Sequence, residues 1–135
     1  MPAFAIKADR DQQVIDALLA AFPGAISAHE RMHDMLVITV DRSAIHDVVR
    51  HCKEQLDFNF LTTLCGMHYP ERDALGLVIH LHSMRAGHRI RLKTETPLKD
   101  PVFATFTDLW PTANWMEREA FDFFGLHFTG HPNLK

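Results

Sequence analysis

Ten histidines and two cysteines in 135 residues make metal ligation the first chemistry to test. His80 and His82 stand two apart in an alternating stretch, so they leave a strand on the same side, and His88 follows across a turn at Gly87. Zinc needs a closed tetrahedral set of nitrogen, sulfur or oxygen ligands. No Asp, Glu or Cys completes such a set at a matching spacing here. Cys52 and Cys65 are separated by twelve residues and lack the paired spacing of zinc or iron–sulfur ligands. His127 and His131, with Gly130 between them, fall in a non-helical stretch. Ordinary surface histidines on a polar strand face are the expectation, and a histidine metal site is the alternative.

Nucleophilic chemistry has less support. Ser83 stands beside His82, but there is no Gly-x-Ser-x-Gly elbow, no phosphate-binding glycine loop and no His-Glu-x-x-His helix. Cys65 is expected inside an apolar strand, where burial would raise its pKa and keep it inert. The densest concentration of functional side chains is Trp115 to Phe124. At about 100° per residue, Trp115, Arg118, Glu119 and Asp122 share one side of a helix, while Met116, Ala120, Phe123 and Phe124 take the other. Glu117 falls between Phe121 and Phe124, where a cap or a cationic partner must satisfy its carboxylate. The bland reading is a core helix with a solvated edge, on which Arg118 and Asp122 form an i, i+4 pair. The sharper one is an interface helix, because an aromatic beside an arginine is what buried protein–protein contacts favour.

These groups must be held by a frame, and the chain's periodicities outline it. Asp9 and Gln12 are spaced as a capping box ahead of Val14, Ile15, Leu18, Leu19 and Phe22, and Pro23-Gly24 ends that helix. Ile26 to Glu30 and Met35 to Val40 read as a hairpin, its second arm apolar on both faces and so central in its sheet. Ser43 opens a second helix with a stripe at Ile45, Val48, Val49, Cys52 and Leu56. Phe58 to Met67 is a strand, Tyr69-Pro70-Glu71 a turn, and Leu75 to His82 with Arg89 to Lys93 a hairpin with one apolar face. Asp100-Pro101 predicts a helix over Val102 to Trp110, and Asn114 with Glu117 predicts a capping box for the next one, stopped by Gly125. Leu126 to Phe128 is short and extended. The order helix, two strands, helix, three strands, then C-terminal helices predicts a two-layer α+β fold with a mixed sheet and helices on one face. Residues 1–135 are expected to form a single domain.

Composition narrows the function classes. An apolar fraction of 47% with 23% charged residues is that of a foldable chain. Fourteen basic against seventeen acidic residues leave a net charge of −3, which disfavours nucleic acid as a partner. No apolar run approaches the roughly 20 residues of a membrane-spanning helix. The start Met1-Pro2-Ala3-Phe4-Ala5-Ile6-Lys7 carries no visible secretory or mitochondrial address, so a bacterial cytoplasmic location is expected.

The run from Trp115 to Leu134, with Glu117-Arg118-Glu119, then Asp122, Gly125 and His131-Pro132, resembles the hallmark segment of the C-type subunit of NADH-quinone oxidoreductase, the respiratory complex I 30 kDa subunit family. The resemblance reaches upstream through Phe58-Asn59-Phe60-Leu61-Thr62, Gly66, Leu81-His82-Ser83, Arg89 to Lys93 and Pro97, and covers Met35 to Leu134. It implies an α+β domain in the peripheral arm, with no catalytic site, flavin, iron–sulfur cluster or quinone site of its own. FMN, the clusters and quinone would belong to partner subunits. The implied neighbour is the D-type subunit that holds the quinone site, on the cytoplasmic side of the inner membrane, with membrane association only through the complex. The interface residues so implied are Trp115, Glu117, Arg118, Glu119, Asp122, Gly125, His131 and Pro132. Two positions depart from the family pattern: His68 replaces an aspartate before the aromatic-proline pair, and Lys135 ends the chain where relatives continue into a tail over the neighbouring large subunit, which would weaken docking. A related subunit of a membrane-bound hydrogenase or similar reductase is the alternative within the same resemblance.

Overall fold

The computed structural model describes residues 3–32 and 35–132, with side chains from residue 10 onward. The stripe read at Ile45, Val48, Val49 and Cys52 is fully buried on helix α2 (Ile45–Gln55), which follows a single 3₁₀ turn at Arg42–Ala44. Helix α1 spans Ala3–Ala21 and buries Val14, Ile15 and Leu18. It runs through Asp9 without a break, because Ala3 to Ala8 contains no helix breaker, so the expected cap at Asp9 is not the start. Gln12 bonds Asp16 one turn on at 2.8 Å instead of closing a capping box. Leu19 lies outside the buried stripe and is exposed.

Five strands form the main sheet: β1 (Ile26–Met32), β2 (Met35–Val40), β3 (Phe60–Tyr69), β4 (Ala74–Ser83) and β5 (His88–Pro97), in the order β1-β2-β5-β4-β3. β2 pairs parallel with β5 and the other neighbours are antiparallel, so the sheet is mixed as expected. β2, buried at residues of both faces, lies between β1 and β5, inside the sheet as expected. One face carries the core: Leu36 and Ile38 of β2, Leu75 to Leu81 at alternate positions of β4, and Ile90 and Leu92 of β5 pack with α1 and α2 in one cluster. Among the described residues no helix packs on the opposite face. Asp11 of α1 ties this layer together, accepting from Arg31 of β1 and lying 2.6 Å from the ring nitrogen of buried His88.

The last third departs from the expected helix at residues 102–110. Val102–Ala104 is a short strand, β6, paired parallel with β7 (His127–Thr129), and residues 106–109 form turns. Phe103, Phe106, Leu109 and Trp110 are buried nonetheless. Val, Phe and Thr at 102, 103 and 105–107 favour extended backbone over helix, and the pairing with β7 decides the competition. Helix α3 spans Ala113–Phe124 and joins the core side of the sheet along β3.

Candidate functional site

Glu117 sets how α3 sits. Its side chain has no exposed surface. Rather than capping its own helix, it accepts from the Thr105 hydroxyl at 2.6 Å and from the Phe106 backbone N–H at 2.7 Å. The N-cap is Thr112, without a side-chain bond, so the capping box expected at Asn114 and Glu117 is not formed. Its hydrogen-bond partners therefore lie in the β6–α3 connection. Burial pushes the Glu117 carboxyl above its usual range, and the two hydrogen bonds and nearby His131 pull against it. His131 is itself buried, and its Nε2 donates to the Asn114 carbonyl at 3.0 Å. Gly125 takes the left-handed conformation (φ 74°) and its N–H closes the helix on Phe121 at 2.9 Å.

With its inner face fixed this way, α3 turns Trp115, Arg118, Glu119 and Asp122 to the surface. Trp115 is 71% exposed, and Arg118 Nε lies 3.5 Å from Asp122 Oδ1. Four of the eight expected residues are thus brought together on one open face. Glu117 and His131 are buried behind it as internal supports, Gly125 ends the helix at the surface, and Pro132 is exposed beyond β7. Asn133 and Leu134, the end of the expected segment, lie outside the described residues.

Phe123, expected on the core side of α3, is 81% exposed, and Phe124 is 38% exposed. The helix lies along the border strand β3. Its helical angle places Phe123 beside half-buried Met116, at the margin of the buried stripe, a position that sequence spacing alone reads either way. Phe60 and Met67 of β3 are also exposed, at 54% and 40%. α3 approaches β3 closely at Gly66, where an added Cβ would stand 2.6 Å from Phe124 and 3.0 Å from Leu126.

Cys65 is exposed, against the expectation of core packing. A register shift between Leu61 and Thr63 reverses the alternation of β3, so Leu64 and Gly66 face the core and Cys65 the helix-free side. Desolvation raises its pKa and Arg91 opposes the rise. The histidine set also comes apart. His80 and His82 face the helix-free side, whereas His88 faces the core and is held by Asp11. Arg91 Nε donates to His80 Nε2 at 2.8 Å, and desolvation with the charges of Arg91 and Arg89 pushes the His80 pKa down. Among the described residues no three His, Cys, Asp or Glu side chains converge on a position for an ion. The open face of α3 offers aromatic surface, a guanidinium and carboxylates, which is chemistry suited to burial against another polypeptide.

Residues 38–135 match the family model described as respiratory-chain NADH dehydrogenase, 30 Kd subunit. The chain belongs to this family. Among its curated relatives, a C-type subunit of NADH-quinone oxidoreductase from Rhizobium meliloti is 37% identical, aligned over 90% of this chain and 68% of its own. The corresponding C-type subunit of Roseiflexus castenholzii is 40% identical over 90% of this chain and 71% of its own. For that of Erythrobacter litoralis, 38% identical, the chain spans only 47% of the relative's length. The 30 Kd fold is shared as well. A trypsin-resistant fragment of Nqo5 superposes with TM-score 0.78 at 30% identity, covering 93% of this chain and 99% of the fragment. A chain of an archaeal membrane-bound sulfane sulfur reductase, a respiratory membrane complex, superposes with TM-score 0.80 at 25% identity, covering 92% and 73%. Among the described residues no helix is long and apolar enough to cross a membrane.

Proposed function

We propose that this chain is a cofactor-free structural subunit of the peripheral arm of NADH-quinone oxidoreductase. It supports NADH-to-quinone electron transfer coupled to ion translocation. Residues 1–135 act as one domain of the 30 Kd kind, a brace whose α3 face and following loop dock onto the D-type subunit that holds the quinone site, on the cytoplasmic side of the inner membrane. FMN, iron–sulfur clusters and quinone are held by companion chains, and the membrane is reached only through them. The observation that carries this reading is the open α3 face, where Trp115 and Phe123 stand beside Arg118 and Asp122 in a member of this family. Large exposed aromatics cost solubility unless a partner covers them.

The test is to purify the assembly through a tag on this chain. Wild type is expected to bring down NADH-oxidising and quinone-site subunits. Trp115→Ala and Arg118→Glu are expected to lower the recovered partner at least about tenfold while the isolated variants still fold, since a central interfacial Trp or Arg is worth about 2 kcal/mol or more. Full assembly and full NADH-quinone activity in both variants would overturn the brace. The likeness to a chain of a sulfane sulfur reductase favours a second reading, the equivalent subunit of a hydrogenase-like or related reductase. Companions lacking an NADH-oxidising flavin subunit would decide for it.

A further inference from the structure

The helix-free face of the sheet carries charge in an ordered way. Arg89, Arg91 and Lys93 stand at alternate positions of β5 and face away from the core, where Ile90 and Leu92 are buried. In the register, Arg91 lies between Val37 and His80, and Lys93 between Thr39 and Val78. Val37 and Val78 are 2% and 9% exposed although no helix covers them and they lie outside the core cluster. Long cationic side chains shelter such neighbours with their methylene stems and leave their heads at the surface.

Glu95 lies close enough to feel the charge of Lys93, but it makes no contact ion pair with it. Among the described residues, no carboxylate pairs with Arg89, Arg91 or Lys93 within salt-bridge distance. Glu95, next on the same side of β5, is taken by Arg72 through bonds of 2.9 and 2.6 Å. Glu30 lies on β1 beyond β2, about two strand spacings from Arg91, or roughly 10 Å. Arg91 instead donates to His80, whose acceptor nitrogen then carries no proton. A chain of net charge −3 thus keeps three cations in line on one face.

We propose that this face is a second docking surface, on which Arg89, Arg91 and Lys93 take an acidic, extended segment of a partner polypeptide. The proposal rests on the subunit reading above. Alternate residues of an extended strand repeat every 6.7 Å or so. Carboxylates at alternate positions of a partner segment therefore match the cation row one to one, and the valines beneath exclude water from the pairs. A long polyanion such as nucleic acid fits less well, because the net negative charge of the chain opposes it at long range while a short acidic segment meets only the local row.

The test uses the assembly purified through this chain and a carbodiimide, which joins an amine to a carboxylate without a spacer. Mass spectrometry is expected to find Lys93 joined to an Asp or Glu of a different subunit. The Arg89→Glu/Lys93→Glu variant is expected to lose about tenfold of its co-purified partner at raised salt, with the neutral Arg89→Gln/Lys93→Gln variant between it and wild type. Circular dichroism of each isolated variant checks its fold, and if the reversed pair misfolds, the neutral pair decides. Lys93 open to an amine reagent in an intact assembly, or joined only to Glu95 of its own chain, overturns the proposal and leaves the subunit reading standing. Nuclease-sensitive material held by the row overturns it in favour of nucleic acid. A tagged chain that brings down no respiratory subunit overturns both.

Discussion

At the scale of single residues, Glu117 links the family segment to the rest of the protein. A carboxylate without exposed surface is costly unless hydrogen-bonded, and its two bonds to Thr105 and Phe106 fix the turn before α3. Because burial raises its pKa above the ordinary glutamate value of 4.5, the folded state holds the proton more tightly than the unfolded chain. Stability linked to this group is therefore fully present below about 4.5 and is lost as pH rises through the raised folded value. Glu117→Gln can keep both bonds, its amide oxygen accepting from Phe106 and its NH₂ donating to the Thr105 oxygen. Urea unfolding from about pH 7 down to 5 is expected to show wild type gaining stability relative to Glu117→Gln. The opposite slope would contradict the burial argument. Glu117→Ala, which strands the Phe106 N–H, is expected to cost about 1–3 kcal/mol at any pH in that range.

At the scale of elements, α3 approaches β3 closely at Gly66. Gly66→Ala directs a methyl at Phe124, which is partly exposed and able to swing, and at Leu126, which is fully buried and is not. The expected cost is about 1–3 kcal/mol, read as a lower urea midpoint, together with weaker partner recovery because Phe123 and Trp115 move with the helix. An unchanged midpoint would mean that α3 yields freely. The elements also show what patterning carries. The stripe of α2 and the alternation of β5 were legible because local periodicity and burial agree there, whereas the first six residues of β4 are buried on both faces. Residues 102–110 were misread because Asp100-Pro101 and the spacing of Val102, Phe103, Phe106 and Trp110 imitate a helix. What overrides them is pairing with a strand more than twenty residues away, which no local window contains. Cys65 was misplaced by the register shift, since one irregular step reverses every later side chain of a strand. On α3 the exposed set Trp115, Arg118, Glu119 and Asp122 followed from helical angle, whereas the exposure of Phe123 depends on where the sheet ends.

At the scale of the whole molecule, the proposed single domain makes a calorimetric prediction. The core cluster joins α1, α2, α3 and the sheet through shared buried neighbours. The chain is expected to unfold in one transition, with equal calorimetric and van't Hoff enthalpies and, for 135 residues, a heat-capacity change of about 1.6–2.0 kcal/mol/K. Two resolved transitions would divide it. The sheet order has a separate consequence, because among the described residues no further strand pairs with either border. β1 bears His29, Glu30 and Arg31 along an exposed strand, and such charges discourage sideways growth of a sheet. The other border, β3, runs ten residues without an Asp, Glu, Lys or Arg and shows Phe60 and Met67 to water. An orphaned copy is therefore prone to stick to its own kind at that border. A cell has reason to synthesise the chain in step with its companions and to degrade any surplus.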